Sequence, residues 1–457
     1  MNWIRALAAL AVIGTNAAQD SGGAAATDKP SERWNLYFQA TSIGDYHGNF
    51  AALYNGPHSL QNTWERDASL TSTLYLGLRF PGDTQAYFDP EIAGGRGFSG
   101  VNGIANAPNG ELPRVASATP KPYIARAYVT HDFGFGSARE QFSSDANQLS
   151  GSRPETRYSI TAGRFTVTDF FDNNRYTHDP RTQFMGWGIM YNGAWDYPAD
   201  VRGYTWGWMH EFHTRRWAVR YASAAEPRVA NGLRFDRRLF RNRGDMFEGE
   251  IHYGEGEHAG TLRLLGFVLH TNSGTYAEAL QLSRQTGAAP DVTATRQNGT
   301  VKYGTGVNVE QQVAKNVGVF ARLGWNDGKT ESFAFTAIDR LASGGVSFAG
   351  TRWKRPDDVV ATALTVSGLS GVHASYLAHG GLDFLIGDGA LRYAPEYVWE
   401  SYYSARLYRG LFASFDLQHI ANPAYNQDRG PVWIPSVRLH LELKLHGTPE
   451  NGASKNP

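Results

Sequence analysis

The chain has 457 residues, no cysteine, 51 glycines, 13% aromatic residues, and 43 basic against 43 acidic side chains. Zero Cys excludes disulfide scaffolds, zinc ribbons, iron–sulfur sites and thiol nucleophiles. Balanced charge excludes the basic footprint of a nucleic-acid binder, and 41% apolar with 19% charged residues fits neither a disordered chain nor a helical membrane protein.

Residues 1–18 read as a secretory signal peptide. Arg5 supplies the positive charge, Ala6 to Gly14 the apolar run, and Thr15, Ala17 and Ala18 the small residues near a cleavage point. The run is short of the roughly 20 apolar residues a membrane span needs; a soluble N-terminal helix is the alternative. Residues 19–33 are mostly small and polar and read as a flexible linker. From 34 to 446 apolar and polar residues alternate with period two, in segments of about 9–12 residues separated by Gly, Asn, Asp and Pro. Residues 447–457 form a polar C-terminal tail.

The alternation runs in chain order as follows. In 69–80, Leu70, Leu74, Leu76, Leu78 and Phe80 oppose Thr71, Thr73, Tyr75 and Arg79. In 247–253, Phe247, Ile251 and Tyr253 oppose Glu248, Glu250 and His252. In 390–402, Leu391, Tyr393, Tyr397 and Trp399 oppose Arg392, Glu396 and Glu400. In 411–418, Leu411, Ala413, Phe415 and Leu417 oppose Ser414, Asp416 and Gln418. In 434–446, Val437, Leu439, Leu441, Leu443 and Leu445 oppose Arg438, His440, Glu442, Lys444 and His446.

A soluble sheet with one wet face and a transmembrane barrel with a watery lumen both produce this pattern. Three features favour the barrel. The strands are long, as membrane-crossing strands are. Aromatics (Trp34, Phe80, Trp217, Trp325, Trp399, Tyr402, Tyr403, Trp433) sit at strand ends, where an interfacial girdle belongs. The polar face is charged on strand after strand, which the inner face of a soluble sandwich would not tolerate. About 17 segments qualify, among them 122–134, 184–192, 203–213 and 316–325. Bacterial single-chain barrels have even strand numbers, so one segment is false and 16 is the expected total. The fold class is all-β, a transmembrane antiparallel β-barrel in a single domain. Two connections exceed simple turns: 92–121, which reads as an inward-folded constriction loop, and 369–389, which has room for a short helix.

A series of local motifs runs in order along the same span. They include Phe50-Ala51-Ala52-Leu53-Tyr54-Asn55-Gly56, Pro90-Glu91 with Gly94-Gly95-Arg96-Gly97, and Pro108-Asn109-Gly110-Glu111. Gly163-Arg164-Phe165 leads to Asp169-Phe170-Phe171-Asp172-Asn173-Asn174, then Asp179-Pro180-Arg181-Thr182-Gln183-Phe184-Met185 and Ala194-Trp195-Asp196-Tyr197-Pro198. Later come Trp353-Lys354-Arg355-Pro356-Asp357-Asp358 and Gln418-His419-Ile420-Ala421-Asn422-Pro423. In order and spacing the chain resembles the carbohydrate-selective porins of Gram-negative outer membranes, the glucose-porin type, from about residue 34 to 446. The resemblance implies a barrel of 16 strands that passes sugars by facilitated diffusion. The implied partners are a carbohydrate, outer-membrane lipid and the barrel assembly machinery. A homotrimer and a monomer both stay open, and no nucleic acid, metal or cofactor is implied. A final strand ending Leu445-His446, followed by the tail, departs from the terminal aromatic usual in outer-membrane proteins.

A sugar path needs aromatic faces for the ring and polar groups for the hydroxyls. Arg suits its narrow part because the planar fork donates in fixed directions. The candidates on the 92–121 connection are Glu91, Arg96, Asn109 and Glu111, with anchoring of the loop as the alternative role. Arg126 lies between Ala125 and Ala127 on a strand and is placed in the lumen. Arg164, Asp169 and Asp172 form a polar cluster at a strand end, or a turn with a local ion pair. Trp187, Trp195 with Asp196, and Trp206 are stacking candidates, or girdle residues facing lipid.

Other motifs fail on context. Gly95 to Gly100 fits G-x-G-x-x-G, but the following VNGIANAPNG cannot open a helix. His210-Glu211-Phe212-His213 lacks the two-residue gap of a zinc protease helix. Two alternatives to a sugar porin stand: a β-rich glycosidase using Asp169 and Asp172, and a porin for other small solutes such as organic acids.

Overall fold

The computed structural model describes residues 31–115, 117–334 and 337–445. The expected signal peptide, nearly all of the linker and the polar tail lie outside the described residues. Sixteen antiparallel strands close into one barrel in which each strand bonds its sequence neighbours and the first bonds the last. They are β1 (Trp34–His47), β2 (Glu65–Phe80), β3 (Thr84–Gly95), β4 (Lys121–Phe142), β5 (Gly151–Phe165), β6 (Thr205–His213), β7 (Trp217–Ala225) and β8 (Arg243–Tyr253). Then follow β9 (Gly260–Ser273), β10 (Gln297–Ala314), β11 (Val317–Asn326), β12 (Arg340–Ala349), β13 (Val359–Gly368), β14 (Glu396–Tyr408), β15 (Leu411–Ala421) and β16 (Val432–Leu445). Closure sets Leu36 opposite Leu445 and Ser42 opposite Leu439.

The false segment is 184–192. It holds a one-turn helix, α1 (Trp187–Met190), fully buried inside the barrel. Its apolar and aromatic run imitates a strand because the loop packs against other lumen residues. The 390–402 segment also begins later, at Glu396, and the residues before it belong to a loop. The connection after β13 carries a helix, α3 (Gly371–Ala378), as its length allowed. An unanticipated helix, α2 (Tyr276–Thr286), lies between β9 and β10, N-capped by Thr275.

Period-two patterning sorts the side chains as read. Leu70, Leu74 and Leu78 point outward and exposed, while Thr71, Thr73 and Tyr75 are buried on the lumen side. Phe247 and Ile251 alternate in the same way with Glu248 and Glu250. Most expected girdle aromatics lie outside, but Tyr402 turns inward beside Glu400 and meets Phe184 edge-on at 5.0 Å. Consecutive residues of a strand face opposite sides, so Tyr402 and Tyr403 cannot both face lipid. Inside, charges pair across neighbouring strands. Arg220 reaches Glu248 at 2.9 Å and Glu250 at 3.0 Å, and Arg263 reaches Glu250 at 2.7 Å.

Connections alternate in length. Residues 81–83, 214–216, 315–316 and 409–410 are short turns at one end, while 96–120, 166–204, 274–296 and 369–395 are long loops at the other. Outer-membrane barrels place the short turns on the periplasmic side. At that side β4 and β5 overshoot their neighbours, with a register shift between Phe135 and Arg139. Their turn folds back under the mouth: Asn35 Nδ2 donates to Gln148 O at 2.8 Å and Asn147 Nδ2 to Asp89 at 2.9 Å.

Leu74 sits on the lipid face near the middle of β2. Leu74→Arg is expected to cost about 2–4 kcal/mol of folding free energy in bilayers, measured by urea titration in lipid vesicles. A lumen substitution such as Thr130→Ser should leave that value nearly unchanged.

Candidate functional site

Two long loops fill the lumen, and wall charges hold their backbones. Loop 96–120 crosses from the β3–β4 edge to the opposite wall. There Glu396 accepts from Asn106 N at 2.7 Å and Asn106 Nδ2 at 2.8 Å, and Gln418 Nε2 donates to Pro108 O at 2.7 Å. Asn109 Nδ2 donates to Asp45 at 2.8 Å. A Cβ on Gly103 would sit 1.8 Å from Leu60 N, so glycine permits the close approach of loop 96–120 to the 48–64 loop.

Loop 166–204 is held in the same way. Glu400 accepts from Met185 N at 2.6 Å and Gly186 N at 2.8 Å. Arg438 donates to Pro180 O and Gln183 O, both at 2.7 Å. Asp172 bonds Arg322 at 3.1 Å and Asn308 at 2.8 Å. Asp196 bonds Lys302 at 2.7 Å. Each of these buried charges thereby keeps a partner, which burial demands.

Between loop 96–120 and the β2–β5 wall the two loops build a closely packed polar cluster, the eyelet, whose central side chains are buried. Arg181 stands at its centre: it reaches Glu91 at 2.9 Å, Glu111 at 3.3 Å, Thr73 at 3.2 Å and Tyr75 OH at 3.0 Å. Burial would lower the Arg181 pKa, but Glu111 and Glu91 raise it well above its ordinary value, so its charge is fixed. Glu111 also accepts from Thr71 at 2.6 Å and pairs with Arg114 at 3.1 Å. Glu91 takes hydrogen bonds from Tyr204 at 3.2 Å and from Tyr123. Arg126 grips Asp169 with two bonds of 2.6 Å, and the pair stays partly exposed, at 13% and 22%. Arg164 meets Asp200 at 2.7 Å. Arg126 and Arg164 lie 5.4 and 5.7 Å from the Tyr204 ring, and Arg202 lies 3.9 Å from the Tyr123 ring. Arg126 also reaches Asp89 at 3.4 Å, so Arg114, Arg126, Arg164 and Arg181 are ion-paired with Asp89, Glu91, Glu111, Asp169 and Asp200, and Arg202 stands beside them.

The structure brings Glu91, Glu111, Arg126, Arg164 and Asp169 together here. Asn109, Asp172 and Asp196 are occupied in holding loops to the wall. Trp195 is buried beside Tyr197, with ring centroids 5.4 Å apart, and Trp187 is buried nearby. Trp206 faces outward, 52% exposed. Arg96 lies apart, exposed among the long loops. Sequence reasoning missed Arg181, Arg114, Tyr204, Tyr75 and Tyr123. The Asp179-Pro180-Arg181 motif carried a signal for Arg181 only, since it marks an ordered turn with a charge at its tip.

Over the long-loop end α2 and α3 pack together. His373 lies between Asp339 at 3.0 Å and Asp383 at 3.1 Å and stacks on Tyr276 at 4.2 Å. Tyr276 OH and Ser332 Oγ donate to Asp383 at 3.0 and 2.9 Å. This knot ties loops 274–296, 327–339 and 369–395 to one another.

A closed 16-strand barrel with inserted loops and a charged eyelet defines a porin-class channel. A family model described as carbohydrate-selective porin, OprB family, matches residues 74–443. The chain belongs to that family. It is a multi-pass barrel of the Gram-negative outer membrane, an outer-membrane carbohydrate porin and a channel rather than an enzyme. No curated protein matches the sequence. Among solved structures, the high-pH structure of Pseudomonas putida OprB is similar, with TM-score 0.66 and 14% identity over 91% of this chain and 99% of that one. The outer-membrane channel DcaP of Acinetobacter baumannii aligns with TM-score 0.48 and 10% identity over 90% of this chain and 97% of that one.

Arg181→Gln leaves Glu91 and Glu111 without their shared counter-charge, so the reversal potential in a KCl gradient should shift towards cation selectivity. An unchanged potential would remove Arg181 from the conduction path. For His373, burial opposes the charge, but Asp339 and Asp383 outweigh it and raise the pKa from 6.5 to about 9. The stabilisation is therefore complete below pH 6.5 and is lost as pH rises through about 9. His373→Gln should abolish that alkaline loosening of the long loops, read by limited proteolysis between pH 7 and 10.

Proposed function

We propose that the eyelet is where single sugar rings such as glucose cross the barrel to the periplasm. The observation that carries this reading is Arg181 bracketed by Glu91 and Glu111, with tyrosine hydroxyls around it. Matched charges give neither ion sign a deep well, so a neutral solute meets no electrostatic penalty. Guanidinium forks and phenols offer donors and acceptors that sugar hydroxyls exchange one at a time. Each exchange is nearly isoenergetic, since a hydrogen bond nets only about 0.5–1.5 kcal/mol in water. Conduction needs that balance, with binding strong enough to admit a solute and weak enough to release it.

The test is swelling of proteoliposomes in glucose, a disaccharide and acidic solutes of similar size. Glucose should enter fastest, with the disaccharide well behind. Faster entry by acidic solutes than by neutral sugars of equal size would overturn the sugar assignment at the eyelet.

A further inference from the structure

A second recess lies above the eyelet. Its volume is about 260 Å³, and four long loops contribute its lining: Arg96 and Asn102 from 96–120, Val201 from 166–204, Asn231 from the β7–β8 loop, and Phe384 with Leu385 from 369–395. Its floor is Leu112-Pro113, between the eyelet residues Glu111 and Arg114.

The chemistry of this recess differs from that of the eyelet. Arg96 is its single charged lining residue, and its guanidinium makes no ion pair or hydrogen bond with the described residues. Asn231 contributes to the lining, with its side-chain oxygen set beneath the recess surface. Asn231 holds a left-handed backbone, φ 51°, fixed by its amide donating to Phe333 O at 2.7 Å. Asn102 is tethered through Nδ2 to Ser99 O at 3.0 Å, which orients its amide. The lining also includes Phe384, Leu385 and Val201.

We propose that this recess is a binding site for one neutral monosaccharide ring, a docking station that the sugar occupies before it enters the eyelet. The proposal rests on the sugar-porin reading and adds a second site to it. A lining that combines apolar side chains with donors and acceptors matches the two kinds of surface a pyranose presents. The unpaired Arg96 fork suits two neighbouring hydroxyls. The volume falls just below the usual range of about 300–1,000 Å³ for drug-sized ligands, which favours one ring over two. Loading here raises the local sugar concentration one residue away from Glu111 without adding a strong ion well to the path.

The experiment uses the full chain in planar bilayers. It reads the glucose concentration that half-blocks the ion current, in wild type, Arg96→Gln and Phe384→Ala, each checked for barrel folding by heat-modifiable mobility. Proteoliposome swelling with glucose is measured in parallel. Both variants should raise the half-blocking concentration about tenfold, as loss of one charge-assisted or stacking contact requires, while glucose still enters. Half-block within twofold of wild type in both variants overturns the site and leaves the sugar porin intact. Failure of wild type to admit glucose at all overturns the sugar reading and this site with it. Glucuronate blocking at much lower concentration than glucose overturns the neutral-ring assignment and makes the recess an anion site.

Discussion

Hydrocarbon offers no partner to a backbone amide, and that single condition organises the molecule. It is met only when the ladder closes on itself, β1 against β16. Closure fixes which residues face lipid, because faces alternate with period two. Charges in the middle of a strand are then driven to one side. Arg220 with Glu248 and Glu250, and Arg263 with Glu250, show the consequence. The lumen wall becomes a dense set of matched charges, long before any solute enters.

That wall has a second use. A loop folded into a barrel brings backbone amides and carbonyls that need partners. Glu396, Glu400, Arg438 and Arg322 supply them, so the charges that closure forces inward also fasten the inserts. The two inserts meet at Arg181, and what is left between them and the β2–β5 wall is the eyelet. Its charge balance is local, so the overall charge of +0 has a counterpart at the cluster where the two inserts meet.

Much of the barrel was legible because alternation is a one-dimensional record of closure. Leu70, Leu74 and Leu78 against Thr71 and Thr73 needed no tertiary knowledge. The inserts were less legible. The 184–192 segment has the apolar content of a strand because lumen packing and lipid contact ask for similar side chains. Its true state depends on contacts with Glu400 and Arg322, which lie far away in sequence. Glu91, Glu111, Arg164 and Asp169 were found because each lies near a Gly-rich connection or a strand end, and Arg126 because Ala125 and Ala127 flank it on a strand. Arg181 escaped because its partners come from β2, β3 and the opposite loop, and no local spacing announces such a meeting.

The pairing of β1 with β16 also sets a schedule. Asn106 waits for Glu396, 290 residues later, and Pro108 for Gln418, 310 residues later. A chain delivered N-terminus first thus carries open strand edges and bare loop amides until its last strands arrive. Partial products, however long, cannot cap themselves, so they depend on being shielded from one another. Folding then becomes a single late event rather than a gradual accretion, and the arrival of β15 and β16 is its clock.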